Sequence, residues 1–94
     1  MRIGTVIGTV TLNGSHPSLR GGSYRLAVPL SLANLQGNYG EIAEEFVVYD
    51  ELGAAVGSQI AISEGAEAAQ PFRPEIKPVD AYNAAILDNI ELKP

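Results

Sequence analysis

Arg2-Ile3-Gly4-Thr5-Val6-Ile7-Gly8-Thr9-Val10-Thr11-Leu12 reads as one long β-strand. β-branched residues dominate it, and alternate positions place Val6, Val10 and Leu12 on one face together with Gly4 and Gly8. A glycine in mid-strand weakens pairing unless the strand must bend or admit another backbone closely. Small closed barrels need such a bend, in a strand shared by both halves of the sheet. The pattern predicts a barrel with this strand as its hinge.

Working outward, Asn13-Gly14-Ser15-His16-Pro17 and Arg20-Gly21-Gly22-Ser23 are turns. A second strand follows, with Tyr24, Leu26, Val28, Leu30 and Leu32 on one face and Arg25, Ala27, Pro29 and Ser31 on the other. Pro29 cannot donate to a ladder, which marks an edge position or a bulge. A polar connection with Gly37 and Gly40 leads to a third strand, Phe46 to Asp50, and then a fourth, Ser58 to Ser63. Ser63-Glu64-Gly65-Ala66-Glu67-Ala68-Ala69-Gln70 holds the only run of good helix formers. Ser63 is its candidate cap, Glu64 and Glu67 suit its dipole, and Pro71 and Pro74 end it after about two turns. The last strand is expected over Ala84 to Leu92, its apolar face (Ala84, Ile86, Ile90, Leu92) interrupted by Asp88.

Five strands and one short helix without β-α alternation argue for an all-β chain: a small five-stranded OB-like β-barrel occupying residues 1–94 as a single domain. A five-stranded sandwich is the alternative. At 94 residues the core is small, and chains of this size often lean on disulfides, metals or partners. The absence of cysteine removes disulfides and thiolate sites, and a single histidine (His16) disfavours a transition-metal site. Oligomerisation is the remaining route.

The net charge of −5 has the wrong sign for a phosphate backbone, and Arg2, Arg20, Arg25, Arg73, Lys77 and Lys93 are scattered. The start enters a strand pattern at once, without the apolar core of a secretory signal, and no stretch is long enough to span a bilayer. A soluble, cytoplasmic protein is the default expectation.

Between the third and fourth strands lies Asp50-Glu51-Leu52-Gly53-Ala54-Ala55-Val56-Gly57, a glycine-bounded turn with mostly small residues inside it. Such a turn serves either as a plain connection or as a place where another backbone approaches. No reaction chemistry is visible. Asp50, Asp80 and Asp88 stand in separate elements of an acidic chain and read as solvated or paired carboxylates. Asp88, flanked by apolar neighbours, is the one expected to need a partner: Arg2, Arg25 or backbone N–H groups. His16 has no nucleophile or orienting acid suggested around it. Ser63-Glu64-Gly65 is a poor anion cradle because its glutamate repels anions. Tyr24, Tyr39, Tyr49, Tyr82, Phe46 and Phe72 lack the interleaved basic residues of a base-stacking platform, although an OB-fold module binding single-stranded nucleic acid or oligosaccharide is the alternative function.

The blocks Thr5-Val6-Ile7-Gly8-Thr9-Val10, Pro17-Ser18-Leu19-Arg20-Gly21, Asp50 to Gly57, Ser63-Glu64-Gly65-Ala66-Glu67-Ala68, Pro78-Val79-Asp80-Ala81 and Ile86-Leu87-Asp88 occur in that order. In order and spacing the chain resembles the EutN/CcmL family, the vertex proteins of bacterial microcompartment shells, including carboxysomes. The resemblance implies a homopentamer of OB-like barrels that caps the five-fold vertices of a shell otherwise tiled by hexameric shell proteins. It implies no catalytic residues, metal, cofactor, nucleic acid or membrane, and a location in the cytoplasm. Subunit-interface or pore positions would be Gly53, Ala54, Ala55, Gly57, Ser63, Gly65, Ala66, Asp80 and Asp88. There are two departures from the family pattern. The family's Gly-Ala-Gly-x-Gly turn reads Gly53-Ala54-Ala55-Val56-Gly57, which costs backbone freedom at position 55. Its Ser-Ala-Arg helix end reads Glu67-Ala68-Ala69, which leaves the region acidic.

Overall fold

The computed structural model describes residues 1–12, 14, 17–19, 21–38, 44–74 and 79–92. Five strands, β1 (Arg2–Val10), β2 (Tyr24–Pro29), β3 (Phe46–Tyr49), β4 (Gln59–Glu64) and β5 (Ala81–Leu87), close in the order β1-β2-β3-β5-β4. The closed circuit decides against the sandwich. All neighbours are antiparallel except β3 and β5, which meet in parallel at Tyr49 and Tyr82.

β1 is the hinge its glycines predict. It pairs with β4 over Arg2 to Thr5 and with β2 over Gly4 to Val10, and its register slips between Val6 and Gly8, leaving Ile7 as the extra residue of a bulge. Gly4, in both pairings, has no room for a side chain: a Cβ there would lie 2.8 Å from Ile62 Cδ1 and 3.0 Å from the Val28 carbonyl oxygen. Pro29 ends β2 opposite Gly4, and pairing resumes with Leu30, whose N–H donates to the Ile3 carbonyl at 2.8 Å. The position is thus a strand end, where a missing N–H costs little.

The interior is filled by small aliphatic side chains: Val6, Ala27, Val48, Ala54, Ile60, Ile62 and Ala81, with Phe46 packed against them. Here two sequence expectations are corrected. In β2 Tyr24 is buried as expected, but so are Ala27 and Pro29 of the opposite face, while Leu26 and Val28 are half-buried and Leu32 is exposed. A narrow barrel accepts only a small side chain at the Ala27 position, so its neighbours Leu26 and Val28 take the outer face. The last strand begins at Ala81 and ends at Leu87, with Ala81 and Asn83 buried and Ala84 and Ile86 exposed. Asp88 therefore lies beyond the strand and is exposed.

Two four-residue helices decorate the barrel. The unforeseen α1 (Leu32–Leu35) takes Ser31 out of β2 as its cap. Ser31 Oγ accepts from the Asn34 N–H at 3.1 Å, and Asn34 Oδ1 accepts from the Ser31 N–H at 3.0 Å. The expected helix is α2 (Ala66–Ala69), which runs into a 3₁₀ turn, Gln70–Phe72. Ser63 does not cap it. It belongs to β4, and Gly65 opens the helix at φ 65° with no side-chain cap. The expectations for His16, and most of the loops around it and before Pro78, lie outside the described residues.

Candidate functional site

Among the described residues, a dense polar cluster is built on the turn between β3 and β4. Asp50 leaves β3 with its N–H donating to the Ser23 carbonyl at 2.8 Å. Alternation along β3 (Val47 exposed, Val48 buried) turns the Asp50 side chain inward, where none of it meets solvent. Oδ1 accepts from the Leu52 N–H at 3.1 Å and from Asn83 Nδ2 at 2.8 Å. Oδ2 accepts from the Ala54 N–H at 2.9 Å and lies 3.5 Å from an Arg25 guanidinium nitrogen. Arg25 in turn donates from Nε to the Ala54 carbonyl at 2.7 Å and from its other end to Ser23 Oγ at 2.7 Å. Both backbone groups of Ala54 are thereby taken, and its methyl group is a member of the core, 1% exposed. The turn is a plug held in the barrel by one carboxylate and one guanidinium.

Burial pushes the Asp50 carboxyl up, but the Asn83 amide, the Leu52 and Ala54 N–H groups and the Arg25 charge outweigh it and hold it below the ordinary aspartate value. Glycine serves where the chain reverses: Gly53 has φ 73° and Gly57 φ 95°. Past the plug, the Gly57 N–H donates to the Val6 carbonyl and the Val6 N–H to Ser58, at 2.8 and 2.9 Å. What the turn leaves outside is apolar: Leu52 is 50% exposed and Val56 64%.

Beside the plug, Tyr49, Phe72 and Tyr82 pack ring on ring with centroids 5.1–6.3 Å apart, and Tyr24 joins Tyr49 edge-on at 5.2 Å. These contacts hold the 3₁₀ turn against the barrel. Tyr82 donates its hydroxyl to Glu51 Oε1 at 2.7 Å, and that bond, with burial and the nearby negative charges, pushes the phenol up to about 12.

The expected site positions fall into three places. Gly53, Ala54, Ala55 and Gly57 share the plug, with Ala54 covered by its own chain and the other three exposed. Ser63, Gly65, Ala66 and Asp80 form a second corner, closed by the Gly65 N–H donating to the Asp80 carbonyl at 2.9 Å. Asp88 stands apart, exposed beside Asn89 and Ile90. The carboxylate that needed a partner is Asp50 rather than Asp88: Arg25 serves Asp50, and Arg2 pairs with Glu64 at 3.3 Å on the surface. Sequence reasoning missed Arg25 and Asn83 as members of the cluster. The legible signal was Asp50 itself, since an aspartate two to four residues ahead of a glycine turn commonly accepts from the turn's N–H groups.

With these contacts filled, the cluster has no nucleophile beside a base, and among the described residues no group of three His, Asp or Glu could hold a metal ion. It is suited to holding a shape. A profile of the family described as "Ethanolamine utilisation protein EutN/carboxysome" matches residues 1–88. The chain belongs to the EutN/CcmL family.

It is 35% identical over 95 residues to the carboxysome shell vertex protein CcmL of Nostoc sp., covering 99% of this chain and 88% of that one. The solved structure of Gloeobacter violaceus CcmL is similar at a TM-score of 0.82, with 30% identity over 98% of this chain and 90% of the other. The GrpN pentameric microcompartment shell protein from Rhodospirillum rubrum gives 0.80 and 28%, over 99% and 100%. The two departures from the family pattern now have a structural reading. No residue other than glycine has positive φ among the described residues, so Ala55 fits its turn without strain. In α2, Ala68 is buried while Glu67 is exposed, so the acidic substitution faces outward.

Proposed function

We propose that this chain is a structural shell protein that assembles as a ring of five and caps the five-fold vertices of a bacterial microcompartment in the cytoplasm. The observation that carries this reading is the family match over residues 1–88, to relatives spanned almost end to end. The physical logic agrees. A barrel this small leaves Ile7, Val47, Leu52, Val56 and Ile86 more than two-fifths exposed, and a closed head-to-tail ring is an economical way to cover such flanks. A flat hexagonal sheet cannot close, and five-fold units supply the missing curvature.

In this reading the partners are four further copies of the chain and, at the rim, hexameric shell proteins. The exposed part of the turn (Gly53, Ala55, Gly57), with Ala54 as its anchor, lies at a subunit boundary or the pore. So does the corner of Ser63, Gly65, Ala66 and Asp80, and Asp88 contributes at the periphery. The chain has no reaction to catalyse and no nucleic acid to bind. Co-expression with a hexameric shell protein tests the proposal, read by electron microscopy. Closed polyhedra that become open sheets or tubes when this chain is omitted are the expected result. Shells that close equally well without it would overturn the proposal, as would salt-sensitive binding of a single-stranded oligonucleotide by an isolated monomer.

A further inference from the structure

The cluster under the turn is an odd way to stabilise a small barrel. Taking a carboxylate and a guanidinium out of water costs several kcal/mol per ion, and well-packed apolar residues commonly do as well or better in the same space. Asn83 sharpens the point. It is 1% exposed, its Nδ2 donates to Asp50, and its Oδ1 accepts from no described group. An unpaired buried oxygen is a standing cost, accepted for that single donated bond. Three further bonds of the cluster reach the backbone of the turn. Asp50 fixes the Leu52 and Ala54 N–H groups, and Arg25 fixes the Ala54 carbonyl. The part of the turn so fixed turns Leu52 outward, and Val56, beside the Gly57 N–H that donates to the Val6 carbonyl, is exposed after it; a lone molecule gains nothing by exposing these two apolar side chains.

We propose that Asp50, Arg25 and Asn83 are positioning residues for ring assembly: they hold turn 51–57 in the one shape that presents Leu52 and Val56 to a neighbouring copy, and the barrel does not need them to fold. This rests on the ring proposed above, and it assigns the specificity of that ring to a polar device rather than to the apolar surface alone. A buried polar group that selects one arrangement at a cost in stability is an attested use of such groups. The turn between Leu52 and Gly57 carries no charge, so in a head-to-tail ring an exposed apolar flank of the next copy, such as that of Ile7, Val47 or Ile86, suits it better than a charged partner does.

Two variants test this, Asp50→Asn and the apolar triple Arg25→Met/Asp50→Leu/Asn83→Val. Each is read by native mass spectrometry and by amide hydrogen exchange. The expected result is a folded barrel, with Val6, Val48 and Ile60 amides still protected, in which Leu52 and Ala54 amides lose protection. Rings of the Asp50→Asn variant should dissociate at a concentration about 10- to 100-fold above that of the unmodified chain, and the triple should be monomeric. Intact rings in the triple would overturn the proposal. So would unfolding of both variants, because the cluster would then be holding the barrel itself. A failure of the ring reading is separable: the unmodified chain would not form rings at all.

Discussion

The wall of this barrel and the turn that plugs it are built on opposite terms. The wall is held by non-directional contact among Val6, Ala27, Val48, Ile60 and Ile62, and by ladders that many sequences could form. The plug is held by directional bonds converging on one carboxylate, and only Ala54 reaches the core. Volume matters most in the wall, and geometry in the plug. The wall therefore accounts for folding, while the plug accounts for which surface the folded chain shows.

The largest effect is expected from breaking the wall. Ile62→Ala removes a fully buried side chain from a small core and should cost about 2–5 kcal/mol, enough to unfold much of the population in a urea titration. Gly4→Val comes next. Its Cβ would press on Ile62 and on the Val28 carbonyl, and overpacking of this kind costs about 1–3 kcal/mol by the same titration. The plug should respond otherwise. Val56→Asp, at an exposed site, should shift the unfolding of the monomer by less than about 0.5 kcal/mol yet abolish the ring in light scattering.

Acid sharpens the contrast further. Asp50 is held below its ordinary value in the fold, so it contributes stability that is present above about pH 4 and lost as pH falls through its lowered folded value. Asp50→Asn should flatten that limb of a pH–stability curve. Tyr82 acts at the other end. Its phenol is pushed up to about 12, so the stability it supplies is present below about pH 10 and disappears between there and 12. The smallest effect belongs to Arg2→Ala, which removes a surface ion pair to Glu64 and should change stability by about 0–1 kcal/mol.

The sequence made the wall's layout legible and its faces only partly so. Strand number, barrel closure and the bend in β1 follow from β-branched runs and from Gly4 and Gly8. The inner faces of β2 and β5 did not follow, because both faces carry apolar residues, and alternation alone cannot choose between Leu26 and Ala27. Register slips at Ile7 and between Ala61 and Ile62 also reset the alternation locally. Helix α1 is too short to show a period, and its capping box uses Asn34 where Glu or Gln is usual. At the plug, the turn's importance was readable from Gly53 and Gly57, whereas its support was not. Arg25 lies 25 residues and Asn83 33 residues from Asp50, and only the closed barrel brings the three together.

The central claim is that a barrel with apolar flanks completes itself by closing into a ring of five. Native mass spectrometry of the unmodified chain over a range of concentrations tests it most directly. The account predicts a species of five times the 9.9 kDa subunit that persists on dilution. A single 9.9 kDa species at every concentration would contradict it.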